Sequence, residues 1–255
     1  MIMKKAVQLF RLILGIVLII PVLVICVLFS IVLGAPLRLL RQRRAASSIA
    51  QCFLAIAVRW IMICLGSKVT VLGKENLPKK GEKYCMIPNH LSMIDIPAVF
   101  MTGRWPGIVS KAEVWKIPIL HALLVLLNCI KLNRTSPKDA IKAIHDGVEN
   151  INSGIPMLIF PEGTRSKTGV IGEFKAGSFK MATRSKSKIV PVVLKNTREC
   201  FESAYYPGIV PVYVQILPSI DTDGMEAEEL KELPKIVENA IKEAYDKLPD
   251  FPKRK

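Results

Sequence analysis

Between residues 12 and 35 the chain is almost wholly apolar and carries no charge. A helix needs about 20 such residues to cross a hydrocarbon core. The run is longer than the apolar part of a signal peptide, and no small-residue cleavage site precedes the basic residues behind it, so it reads as a retained helix. Pro21 is a place where that helix could bend. A second apolar stretch, 45–66, is interrupted by Gln51 and Arg59 and carries Trp60, a residue suited to a membrane interface. The two stretches predict a hairpin of membrane-associated helices; the alternative is that the second helix belongs to the core of the domain behind it. Beyond Gly66 the pattern changes to short apolar runs that alternate with helical periodicity. Strands are predicted at 68–73, 83–88, 107–110, 129–133, 156–160, 189–194 and 211–217. Helices are predicted near 93–102, 115–127, 137–152 and 175–185, with a charged amphipathic helix over 226–247. This alternation predicts an α/β fold, with a mixed, largely parallel sheet flanked by helices. The chain then divides into a membrane-associated two-helix segment, 1–66, and an α/β domain, 67–255.

Charge narrows the partners. The chain has 36 Lys and Arg against 21 Asp and Glu, a formal net charge of +15 at pH 7, yet 51% of its residues are hydrophobic. Nucleic-acid binding would explain the charge but not the apolar excess. The basic residues are also scattered, with few aromatics among them, so the expected partners do not include nucleic acid. An enzyme or binding protein lying on an anionic membrane explains both features. Arg38, Arg41, Arg43 and Arg44 outnumber Lys4, Lys5 and Arg11 on the other side of the first apolar run. That bias places the rest of the chain at the cytoplasmic face of a membrane, a bacterial inner membrane in this reading. Basic residues at both ends equally fit a helix that dips into one leaflet. The six cysteines form no CxxC and no zinc spacing, and several lie in apolar runs, which predicts reduced thiols and no metal site.

Two short motifs carry the chemistry. "NHLSMID" (89–95) follows the predicted strand 83–88 and precedes a helix. Residues five apart on a regular helix point about 140° apart, so His90 and Asp95 pair only if His90 lies in the turn before the helix and Asp95 in its first turn. Either Ser92 as N-cap or Asp95 as N-cap with Pro97 in the first turn would give that placement. A carboxylate at imidazole Nδ1 would set the tautomer and leave Nε2 as a base toward a substrate hydroxyl. The structural alternative is a His–Asp contact without chemistry. His121 and His145 fall within helical patterns and are read as structural. The second motif, "FPEGTRSKTG" (160–169), follows the predicted strand 156–160. Arg165 offers a planar fork suited to phosphate, with Lys167, Lys175 and Lys180 nearby in sequence. Its alternative is a surface ion pair with Glu162. Gly177, inside a helical stretch, suggests close packing. In open α/β sheets ligands bind beyond the carboxyl ends of strands, so parallel neighbours at 83–88 and 156–160 would bring both motifs to one edge.

The two motifs in this order, about 70 residues apart, resemble those of the 1-acyl-sn-glycerol-3-phosphate (lysophosphatidate) acyltransferase family, over roughly residues 72–217. The resemblance implies transfer of an acyl group from an acyl-CoA or acyl carrier protein thioester to the sn-2 hydroxyl of lysophosphatidic acid, giving phosphatidic acid, with no further cofactor. It implies His90 as base and Asp95 as its orienting carboxylate. It also implies Lys111, Arg134, Glu162, Gly163, Thr164 and Arg165 as acceptor-binding residues, with Pro191 a family feature of less certain role. Sister reactions on glycerol 3-phosphate or another lysophospholipid are the rival reading. Three departures bear on the acceptor pocket: His121 and Asn128 stand where the family often has Gly, and Asn133 where it often has Asp.

Overall fold

The computed structural model describes the backbone of residues 2–133, 135–202 and 209–251, and the side chains of these residues except at 2–16 and 19. Seven strands form one sheet: β1 (Ser67–Leu72), β2 (Tyr84–Pro88), β3 (Gly107–Lys111), β4 (Ile130–Leu132), β5 (Met157–Leu158), β6 (Lys188–Lys195) and β7 (Val210–Ile216). Their spatial order is β1-β7-β6-β2-β5-β3-β4, and every neighbouring pair is parallel except β6 and β7. All seven predicted strands are therefore present in a mixed, largely parallel sheet. The continuous apolar runs at β2 and β6 follow from their central position, where both faces are covered and alternation is not required. All five β2 residues are buried.

The pleat sorts the core into two layers. Met86, Val192 and Leu194 point to one side, with Ala50, Leu54 and Met62 of α2 (Arg43–Cys64). Cys85, Ile87 and Val193 point to the other, where α5 (Pro137–Asn152) and α8 (Ala227–Lys247) bring Ala143, Ile151, Leu233, Val237 and Ile241. The buried positions 46, 50, 54, 58 and 62 of α2 recur every four residues, one stripe of a helix. That stripe is part of the domain core. On this point the alternative reading of the second apolar stretch describes what its inner face does.

Helix α1 (Ile2–Leu39) continues through Pro21 and Pro36 and lies against α2. The Trp60 indole donates to the Leu18 carbonyl at 3.2 Å, and Phe29 stacks on Phe53 at 5.5 Å. The windows Ile20–Leu39 and Arg43–Cys64 are long and apolar enough to cross a membrane. α1 leaves Val24, Ile25, Leu28, Val32 and Leu33 exposed, and α2 adds Ile56 and Ile63. An apolar surface of that extent on a helical hairpin is a membrane-association feature. The turn of the hairpin is tied to the α/β domain. Arg38 donates to the Asn128 side chain, Arg44 Nε donates to the Ser153 carbonyl at 3.1 Å, and Arg43 pairs with Glu149 at 3.5 Å.

The remaining helices depart from expectation in detail. α3 spans only Asp95–Phe100. The stretch predicted as one helix near 115–127 is a 3₁₀ turn, Ala112–Lys116, followed by α4 (Pro118–Leu126), because Pro118 starts a new helix at a position where its missing N–H costs nothing. Another 3₁₀ turn, Ala176–Phe179, leads into α6 (Lys180–Arg184). α7 (Thr197–Phe201) was not anticipated. Gly177 does not serve close packing: a Cβ there would meet nothing within 4 Å.

Candidate active site

β2 and β5 are parallel neighbours, with Cys85 opposite Met157 and Met86 opposite Leu158, so the loops after both strands leave the same edge. The Asn89 side chain anchors the first of them. Its amide donates to the Leu194 carbonyl at 2.9 Å, and its carbonyl accepts from the Leu194 N–H at 2.8 Å, continuing the β2–β6 ladder by one side chain. His90 follows, outside the helix, and Asp95 is the first residue of α3. The His90 Nδ1 to Asp95 Oδ2 distance is 2.8 Å.

Neither predicted cap is used. Ile94 occupies the N-cap and makes no side-chain cap bond. Asp95 is fully buried and turns back instead, so that Oδ2 also accepts the N–H groups of Leu91 at 2.7 Å and Ser92 at 2.8 Å. Two amide donors on the same oxygen fix the orientation of the carboxylate. The imidazole stacks on Phe160, with ring centroids 3.8 Å apart.

The second motif holds the histidine from below. Glu162 is buried, and each of its oxygens accepts a backbone N–H: Oε1 from His90 at 2.6 Å and Oε2 from Gly172 at 2.9 Å. Burial raises the Glu162 pKa above the ordinary value, and the two amides partly offset that rise. The His90 carbonyl in turn accepts from the Ser166 N–H at 2.9 Å. Within this arrangement the Glu162 carboxylate is occupied by the chain itself. It ties the two loops together and does not face the cleft. Gly163 takes φ = 72°, the left-handed region that glycine enters without strain.

A cleft of about 660 Å³ opens at this edge. His90, Lys111, Gly163, Thr164, Arg165 and Lys175 line it together with apolar residues that include Ile108, Leu132, Ala143, Ile144 and Met181. Lys111 also pairs with Glu113 at 3.1 Å. Arg165 is not paired with Glu162. Its guanidinium lies 3.6 Å from Glu202, next to the end of α7. Arg134 lies outside the described residues. His121, Asn128 and Asn133 do not line the cleft. Asn128 sits at φ = 55°, where asparagine is among the few residues that can replace glycine. His121 Nδ1 lies 3.2 Å from the Trp115 carbonyl on an exposed face. His145 is exposed beside Asp146.

Sequence reasoning missed three contributors. Asn89 and Phe160 stand inside the motifs, so their positions at strand ends were available as a signal. Glu202 had none, since its hydrogen bonds to Ser92 and Met93 each span more than 100 positions and its ion pair reaches Arg165 from outside both motifs.

The chain is similar to known acyltransferases. The acyltransferase family model matches residues 68–195. A 1-acyl-sn-glycerol-3-phosphate acyltransferase of Borreliella burgdorferi is 33% identical over 179 residues, 69% of this chain and 71% of that protein. One from Saccharomyces cerevisiae is 35% identical over 202 residues, 75% of this chain and 63% of that protein. The crystal structure of PlsC from Thermotoga maritima, a 1-acyl-sn-glycerophosphate (LPA) acyltransferase, is similar with a TM-score of 0.73 and 26% identity, covering 95% of this chain and 100% of that one.

Proposed function

The chain belongs to the 1-acyl-sn-glycerol-3-phosphate acyltransferase family and is an acyltransferase; from that premise we propose that it acylates the sn-2 hydroxyl of lysophosphatidic acid to give phosphatidic acid. The observation that carries this reading is the His90–Asp95 pair at 2.8 Å, set in a cleft lined by both basic and apolar side chains. Asp95 holds the neutral imidazole with its proton on Nδ1, which leaves Nε2 to take the proton of the acceptor hydroxyl. The hydroxyl oxygen attacks the thioester carbonyl, the tetrahedral intermediate collapses, and the imidazolium returns its proton to the departing thiolate. Asp95 keeps its bond to Nδ1 throughout and stabilises the imidazolium that forms in between.

Arg165 and Lys111 are the proposed phosphate contacts, with Gly163 and Thr164 forming the loop beside them. A phosphate held there fixes the hydroxyl relative to His90, and such positioning is worth several kcal/mol of barrier. Glu162 serves this site by holding the His90 main chain. The apolar side chains among the cleft lining suit the acyl chain of a thioester carried by coenzyme A or acyl carrier protein.

The proposed setting is the cytoplasmic face of a bacterial inner membrane. The inner stripe of α2 is committed to the domain core and the hairpin turn is tied to Asn128, Glu149 and Ser153, which supports helices that lie in one leaflet. A lysolipid acceptor and a diacyl product then need not leave the bilayer.

The test uses the full chain in vesicles of anionic lipid. Each acyl thioester is paired in turn with lysophosphatidic acid, glycerol 3-phosphate and a lysophospholipid with a larger head group. Phosphatidic acid as the fastest-formed product is the expected result. Faster acylation of either other acceptor would replace this substrate with that one.

A further inference from the structure

Glu202 lies outside both motifs, yet it touches each of them. Its Oε2 accepts from the Ser92 hydroxyl at 2.5 Å, and its Oε1 accepts from the Met93 N–H at 2.8 Å. The same Oε1 lies 3.6 Å from the Arg165 guanidinium. One carboxylate therefore joins the turn between His90 and Asp95 to the cation on the facing loop. Glu202 is three-quarters buried on its side chain, whereas Arg165 is about half exposed, with a side-chain exposure of 48%. A half-exposed arginine samples many rotamers unless something holds it, and in this structure its partner is a carboxylate that is itself fixed by two hydrogen bonds.

The geometry points to Glu202 as the positioning residue that sets Arg165 relative to His90 and so controls recognition of the acceptor phosphate. The inference rests on the reading of Arg165 as a phosphate contact. Glu202 does not touch substrate in this scheme. It restrains the guanidinium to the wall of the cleft that His90 also lines, and it does so from the turn that carries the His90–Asp95 pair. The alternative role for Glu202 is to support that turn alone, through Ser92 and Met93.

Glu202→Gln separates the two roles. The glutamine carbonyl can keep the bond from Met93, and its amide can donate to the Ser92 hydroxyl, which is able to accept as well as donate. The substitution keeps the support of the turn and removes only the charge that faces Arg165. The experiment is a double-mutant cycle on the full chain in anionic vesicles, with Glu202→Gln, Arg165→Ala and the double variant, and acceptor and donor varied separately. Glu202→Gln is expected to lower the acceptor kcat/KM about three- to tenfold, with donor KM and unfolding midpoint unchanged. In the Arg165→Ala background the same change should have less than about a twofold effect, because its target is gone.

Equal effects of Glu202→Gln in both backgrounds would overturn the inference, as would wild-type acceptor kinetics in Glu202→Gln. A loss confined to the unfolding midpoint would assign Glu202 to support of the turn. If Arg165→Ala itself leaves acceptor kinetics unchanged, the phosphate reading of Arg165 falls and takes this inference with it. That outcome is distinct from a loss of the Glu202 link alone.

Discussion

Replacing Asp95 with asparagine tests the proposed chemistry most sharply, because the structure says how the new side chain must sit. Asp95 Oδ2 receives three hydrogen bonds, from His90, Leu91 and Ser92, while Oδ1 is buried without a partner. Leu91 and Ser92 offer only N–H donors at that point, so the asparagine carbonyl must take the place of Oδ2 and its NH₂ the place of Oδ1. The ring stays oriented and the tautomer is kept. Two things change. The buried NH₂ has no acceptor, which costs about 1–3 kcal/mol of stability. The negative charge that would stabilise an imidazolium is also lost. Charge-assisted hydrogen bonds weaken to neutral ones by about 1 kcal/mol each, an effect offset in part because a buried carboxylate no longer has to be desolvated.

The expected result is a modest fall in the unfolding midpoint and a fall in kcat of about 10²–10⁴, or roughly 3–5 kcal/mol of barrier. The assay is steady-state turnover of wild type, Asp95→Asn, His90→Ala and the double variant at saturating donor and acceptor, with thermal unfolding measured alongside. Because the pair acts as a unit, the double variant should be about as slow as His90→Ala alone. His90 is bonded through its main chain as well as its ring, so His90→Ala should unfold near the wild-type midpoint. Turnover of Asp95→Asn within twofold of wild type would refute the mechanism, and so would multiplicative losses in the double variant.

Three further outcomes are expected. Arg165→Lys keeps the charge but loses the planar fork, so acceptor KM should rise about tenfold with donor KM little changed; a defect confined to the donor would remove Arg165 from the phosphate site. Burial pushes the Cys85 and Cys129 thiols up to about 12, so the thiol is the species held in the fold at every pH below that. A maleimide at pH 8 should label neither until denaturant is added, whereas labelling of the native protein at either position would contradict their burial. Deleting residues 1–66 removes Leu54, Val58 and Met62 from the core they share with Met86 and Leu194, at about 1.5–3 kcal/mol each, a sum comparable with the whole stability of a domain. The fragment 67–255 should therefore aggregate rather than unfold cooperatively, as judged by solubility and a thermal melt; a soluble fragment with a cooperative melt would show that α2 is dispensable.

Local pattern was enough for much of this protein. Seven strands could be placed because short apolar runs bounded by Gly, Pro and Asn are decided by neighbours in sequence. The two motifs could be read as loops after strands, and the spacing of His90 and Asp95 required the histidine to stand outside the helix, where it does. What depends on contacts across the fold was not legible. Hydropathy made the second apolar stretch look like a membrane helix, because a core helix and a membrane helix are both apolar; only the sheet beneath positions 46, 50, 54, 58 and 62 shows that one face is core. Local sequence offered Glu162 as the alternative partner of Arg165 because they are three apart. The fold commits Glu162 to the amides of His90 and Gly172, and supplies Glu202, just past α7, as the partner of Arg165. A carboxylate goes where unpaired N–H groups and cations meet it, and that meeting is set by the parallel pairing of β2 with β5 and β6, which no local stretch of the chain encodes.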